Sequence, residues 1–183
     1  MKSKVETENS TDEKIENLRL EVSNMLPDCS LKEVSDIFLD VATDLTGSRH
    51  GYVAFVDPKN GDSVGISFSH LTGACQMYED MGEARFKPLK DGSYGGLLGY
   101  SLDTGKAIYS NDPANHPVAH GLPPHHEPVE RFLSVPVIYK GIVLGQIVLG
   151  NSKEDYSPKQ VSVAEKIAEL YSVVLKELLY KEQ

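Results

Sequence analysis

Four of the six histidines, His116, His120, His125 and His126, fall within eleven residues of one another. Imidazole is the commonest metal ligand among side chains. The cluster sits in NDPANHPVAHGLPPHHEP (111–128), which also holds five prolines; a chain this rich in proline loses little entropy on folding and can hold imidazoles without a helix to carry them. The intervening spacings of three, four and zero residues are not those of a structural zinc site, and neither cysteine is nearby in sequence. Ring hydrogen bonds that brace the loop are the plainer role for the same residues. Cys75, in CQMYEDM, is the second candidate, as a reactive group over a pocket or as a small buried hydrophobe. Tyr78, Tyr94, Tyr100 and Tyr109 can present phenols as polar points in an apolar cavity. The glycines of SYGGLLG form neither a GxxxxGK[ST] nor a GxGxxG pattern, so no phosphate cradle is indicated.

Composition narrows the chemistry further. Eighteen basic against 27 acidic side chains give a net charge of −9, which supplies no field for a phosphate backbone, so nucleic acid is not an expected partner. Residues 91–150 carry eight charged side chains, a low-charge centre suited to a neutral or aromatic ligand. No apolar run approaches the ~20 residues a membrane helix needs, and MKSKVETENSTDEK lacks the apolar stretch of a signal peptide. A cytoplasmic location with no membrane contact is expected. Cys29 and Cys75 lie 46 residues apart with no CxxC pair and are expected as free thiols.

These candidates need elements to position them. Residues 1–11 show no apolar period and read as a disordered arm; 12–29 carry Ile15, Leu18, Val22 and Met25 at helical spacing, with Ser10 and Glu13 as a capping box. Ser30 and Glu33 open a second helix that stops at Gly47. His50–Val56 and Ser63–Ser69, joined by DPKNGD, predict one hairpin; Phe132–Tyr139 and Ile142–Leu149, joined by Lys140 and Gly141, predict another. GGLLGYSLDTGK predicts a short helix closed by Gly105, and 107–110 a strand. Residues 71–93 have no period and read as an irregular cover, and 111–128 as a long loop of the functional kind. Ser157, Pro158 and Gln160 start a final helix whose apolar stripe runs to Leu178.

The run GLPPHHEPVERFLSVPVIYKGIVLGQIVLGN resembles a GAF domain of the kind found in bacterial and archaeal sensor histidine kinases, with its Gly-Leu-Pro-x-x-His-x-Pro segment, Phe-Leu-x-Val-Pro-Val strand and Gly-x-Ile-x-Leu strand in order. CQMYEDM, GLLGYSLDTGKAIYSNDPANHP and DYSP look like the same subfamily, so the likeness runs from about Leu31 to Leu178. It implies an α/β (α+β) fold: a five- to six-stranded antiparallel sheet, N- and C-terminal helices on one face and a loop-covered ligand pocket on the other. The sensory core is expected over 30–157, with 158–183 as a dimerisation and signalling helix.

The resemblance implies a non-catalytic small-molecule sensor for two-component signal transduction, relaying ligand occupancy through its terminal helices. Its partners would be a second copy of the chain and a histidine kinase or response regulator. The expected ligand-binding residues are Cys75 and His126, on the resemblance, with Tyr78, Tyr94, Tyr109, His120 and His125 from their residue types and their places in the chain. Some members bind haem, which makes a haem-based redox or gas sensor the alternative, with His126 on the iron and Cys75 anchoring the porphyrin. A further subfamily reduces free methionine sulfoxide with cysteines on its covering loops, but no cysteine follows Cys75 here. Five residues follow Leu178, leaving no room in this chain for a kinase domain. A stand-alone protein and a piece of a longer sensor kinase are both compatible with that.

Overall fold

The computed structural model describes residues 2–26, 28–69, 84–122 and 127–180. Helix α1 (Lys2–Met25) begins well before the residue 12 expected from the sequence, so the stretch read as a disordered arm is helical from Lys2 onward. That stretch has no Gly or Pro. Extending a helix already anchored at Leu18 and Val22 adds a hydrogen bond per residue without a new nucleus. Ser10 and Glu13 consequently lie inside the helix and do not cap it.

Helix α2 (Leu31–Thr46) is bounded as its sequence signals require. Ser30 Oγ accepts from the Glu33 amide at 3.2 Å, the Ser30 amide donates to Glu33 Oε2 at 2.8 Å, and Gly47 ends the helix at φ 67°.

A six-stranded sheet follows: β1 (His50–Val56), β2 (Ser63–Phe68), β3 (Ala84–Phe86), β4 (Ile108–Ser110), β5 (Phe132–Tyr139) and β6 (Ile142–Gly150). Their order is β3-β2-β1-β6-β5-β4, with every pair antiparallel. Helix α3 (Gly96–Thr104) and a 3-10 turn (Pro113–Asn115) flank β4, and α4 (Pro158–Leu179) closes the chain.

Period-two alternation sorts the strand side chains onto two faces. Val53, Leu133, Val135, Ile147 and Leu149 pack against Phe38 and Leu39 of α2, Leu18 and Val22 of α1, and Ile167, Tyr171 and Leu175 of α4 in one core. Tyr171 and Phe38 meet with ring centroids 4.6 Å apart, and the Tyr171 hydroxyl reaches Ser35 Oγ at 2.7 Å. Leu175 is wholly buried and Leu178 packs against the same core. The apolar stripes of α1 and α4 therefore close on α2 and the sheet within a single chain.

Candidate functional site

The opposite face of the sheet carries a smaller cluster, Tyr52, Ala54, Phe132, Val148 and Leu97. Between this face, α3 and the loop after β4 lies a cavity of about 660 Å³. Helix α3 forms its roof. Gly95 and Gly96 adopt φ of 70° and 66°, the left-handed region where a side chain would be strained, and this lets the chain turn sharply into the helix. The Asp103 carboxylate accepts from the Tyr94 and Gly95 amides at 2.8 and 3.0 Å, tying the helix entrance to its own last turn. The His120 ring lies directly over the two glycines, where a Cβ on either would meet it at 3.1–3.2 Å.

The floor is polar at one point. Gln146 is 1% exposed in the middle of β6. Its Oε1 accepts from Ser101 Oγ on α3 at 3.0 Å and from Ser134 Oγ on β5 at 3.3 Å, and its Nε2 donates to the Tyr52 hydroxyl at 3.0 Å. Ser101 and Ser134 also lie within hydrogen-bond distance of each other, so their two hydroxyl hydrogens are shared among the three contacts. The network pins the roof helix to the sheet, and burial holds the Tyr52 hydroxyl well above its usual range for ionisation. Phe68 stacks on Tyr52, centroids 5.5 Å apart and rings 18° from parallel.

At the rim, buried His50 places Nε2 3.2 Å from Glu127 Oε2, and Arg49 approaches Oε1 of the same carboxylate at 3.3 Å. Both His50 and Glu127 line the cavity. The covering loop is fastened at its two ends. Asn111 makes a two-way clamp with the Tyr156 backbone, its Nδ2 donating to the carbonyl at 3.0 Å and its Oδ1 accepting from the amide at 2.8 Å. Asn151 accepts from the Glu130 amide at 2.7 Å and donates to the Pro128 carbonyl at 2.9 Å, and Arg131 Nε donates to Asp155 at 2.7 Å. All of these fastenings land on residues 151–156, immediately before the Ser157 cap of α4.

The GAF domain sequence profile matches residues 29–176. The chain belongs to the GAF domain family. A curated relative, the methyl sulfide methyltransferase-associated sensor of Methanosarcina acetivorans, is 33% identical over 133 residues, which is 72% of this chain and 13% of that protein. The chain thus spans about an eighth of the relative's length. Among solved structures it resembles the GAF domain of the Acinetobacter phosphoenolpyruvate-protein phosphotransferase (21% identity, 90% and 93% of the two chains, TM-score 0.67). It also resembles the type II free methionine-R-sulfoxide reductase of Thermoplasma acidophilum (17% identity, 81% and 97%, TM-score 0.58). At these identities the two structures speak to the fold alone.

Within this GAF fold the candidate residues separate. His120 and Tyr94 line the cavity. The Tyr94 hydroxyl is committed elsewhere, donating to the Gly61 carbonyl in the β1–β2 turn, and burial raises its pKa, with Asp103 and Asp62 adding to the effect. Tyr109 is exposed on β4 and is not among the cavity-lining residues. Cys75, Tyr78, His125 and His126 lie outside the described residues. Cys29 is a free thiol packed against the helix-side core, across the sheet from the cavity. Among the described residues no group of three or more His, Cys, Asp or Glu is arranged to hold a metal ion, and no helix is long and apolar enough to cross a membrane.

Tyr52, Gln146, His50 and Glu127 were not singled out from the sequence. Gln146 carried a usable signal, since one amide inside the apolar strand IVLGQIVL must be buried and must find partners.

Proposed function

We propose that this GAF domain is a non-catalytic sensory module that binds a small molecule in the cavity under α3 and relays occupancy to α4. The observation that carries the reading is the fastening of the cavity's covering loop, through Asn111 and Asn151, to the segment that leads into α4. A ligand that shifts the loop pulls on the first turn of that helix. The signal would pass from α1 and α4 to a second copy of the chain and on to a histidine kinase or response regulator. Leu20 and Val173 remain exposed on these two helices. The sensor named among its relatives supports the assignment. A metabolite screen by thermal shift, followed by hydrogen exchange on each hit, tests it. Protection is expected in residues 111–122 and also in 157–162; protection confined to the cavity would defeat the relay.

Haem is the second reading, favoured by the His120 imidazole at the cavity. The described lining fits a flat apolar body, but Lys87 is the one Lys or Arg it offers against two propionates. Bound haem would supply gas or redox sensing at its iron, with His126, or failing it His120 or His125, as the axial ligand and Cys75 as the anchor. Reconstitution with haemin is then expected to give a Soret band that His126→Ala shifts or abolishes, and Cys75→Ala is expected to make the haem acid-extractable. A reductase reading is opposed by Cys29, which lies on the wrong face of the sheet to resolve a thiol at the cavity.

A further inference from the structure

We infer that the covering loop has a second output, the last turn of α2, reached from the Asn111 clamp by a one-way chain of hydroxyls through Tyr156, Ser48 and Thr46. The inference rests on the loop movement proposed for ligand binding and adds a destination to it. At the clamp the backbone fixes the roles: the Tyr156 carbonyl only accepts and its amide only donates, so the Asn111 side chain has one orientation. The Tyr156 side chain enters the helix-side core and is 2% exposed. Direction along the chain follows from its far end. Thr46 Oγ1 lies 2.6 Å from the Ala42 carbonyl, which only accepts, so the one Thr46 hydroxyl hydrogen is placed there. In the 2.6 Å contact with Ser48 the Thr46 oxygen therefore accepts and Ser48 Oγ donates. With its hydrogen so committed, Ser48 accepts from the Tyr156 hydroxyl at 2.7 Å.

Burial raises the Tyr156 pKa, against lowering by its contacts with Ser48 and Ser152, so the phenol keeps that hydrogen at neutral pH. Removing one member of a buried chain leaves its neighbour short of a partner, so the members hold their places together. Two backbone bonds fasten the same junction: the Ser48 amide donates to the Thr43 carbonyl at 3.0 Å, and the Lys153 amide to the Gly47 carbonyl at 3.1 Å. A loop shift that carries the Tyr156 backbone thus pulls on Thr46 as well as on Ser157. The last turn of α2 also holds Asp44, which meets Lys14 Nζ of α1 at 2.6 Å; Lys166 of α4 meets Asp12, two residues earlier on α1, at 2.7 Å. Both branches end on one turn of α1. Exposed ion pairs of this kind are weak, which suits contacts that a relay must remake.

Amide hydrogen exchange on the full chain tests this without a ligand, with Ile147 and Val148 in the middle of β6 as the reference for global opening. Asn111→Ala is expected to speed exchange of the Ser48 amide about fivefold over that reference, the scale of one neutral hydrogen bond. Tyr156→Phe is expected to do the same, and the double variant no more than Tyr156→Phe alone, because the chain is already cut. Should Asn111→Ala fail to fold, Ser48→Ala reads the coupling in reverse: the Tyr156 amide, held by Asn111 Oδ1, should exchange about fivefold faster. A Ser48 amide indifferent to Asn111→Ala, effects that multiply to about 25-fold in the double variant, or a Tyr156 amide indifferent to Ser48→Ala would overturn the chain. The Val161 amide, which donates to the Ser157 carbonyl at 3.2 Å, separates this branch from the relay to α4. A response to Asn111→Ala there with none at Ser48 defeats the branch and keeps the relay, and a response at Ser48 alone does the reverse. Silence at both removes the clamp as a joint, and branch and relay with it.

Discussion

Asp57 shows how one carboxylate holds a corner of the site. It accepts from the Lys59 amide at 2.9 Å and from Arg85 Nη1 at 2.9 Å, while the same guanidinium nitrogen reaches Asp62 at 3.1 Å. The β1–β2 turn is thereby joined to β3, the strand that leads to Phe86 and Lys87 on the cavity wall. The Lys59 amide first, and Arg85 second, hold the Asp57 carboxyl below its ordinary range. A depressed carboxylate contributes stability that is fully present above its unfolded-state pKa and is lost as pH falls through the folded value. The acid limb of a plot of melting temperature against pH should therefore be steeper in the wild type than in Asp57→Asn. Superimposable acid limbs would show that this corner carries no pH-linked stability. The buried phenols behave differently: Tyr171 and Tyr52 are both pushed upward by burial, so neither changes charge below the ordinary tyrosine value of ~10.

Helix α4 receives the loop fastenings at its N-terminus, and its cap is the joint. The Ser157 amide donates to Gln160 Oε1 at 3.1 Å, and Ser157 Oγ accepts from the Lys159 amide at 3.3 Å. Ser157→Ala is expected to cost about 1 kcal/mol in urea denaturation, the usual worth of such a cap, and an unchanged midpoint would assign the helix start to Pro158 and packing alone. This boundary was readable from the sequence, as were α2, α3 and both hairpins, because each rests on a local signal: a cap, a left-handed glycine or a period-two run. What was not readable depends on distant partners. Strand β3 is three residues long, too short for a period, and exists because Ala84–Phe86 finds the edge of β2. Residues 2–11 are helical because the packed half of α1 extends into them. At the site, loop composition drew attention to His120 and Tyr94, whereas the polar floor comes from Tyr52, Gln146, Ser134 and Ser101 on four separate elements that only the folded sheet brings together. Tyr109 shared the sequence character of Tyr94 but falls on the exposed edge strand and does not line the cavity described above.

For the molecule as a whole, the two faces of the sheet differ: one packs the three long helices and the other faces the cavity. Leu18 and Val22 of α1, Phe38 and Leu39 of α2, and Ile167, Tyr171 and Leu175 of α4 meet in a single core, so the terminal helices are part of the fold before they are part of any assembly. Substitutions in these helices must be sorted accordingly. Leu175 is 0% exposed, and Leu175→Glu would set a charge in that core; the expected cost is at least ~3 kcal/mol, enough to remove much of the stability of a domain this size. Loss of a dimer in that variant would report unfolding rather than a broken seam. Val173, 53% exposed, and Leu20, 48% exposed, offer the cleaner probe, because surface changes of this kind usually alter stability by no more than about 0.5 kcal/mol. If the helices join two copies, Leu20→Glu with Val173→Glu should keep the wild-type melting temperature while sedimentation equilibrium moves from a dimer toward the 20.1 kDa monomer. A native melt combined with an unchanged dimer mass would place the interface elsewhere, and a cooperative, wild-type-like melt for Leu175→Glu would contradict the core described here.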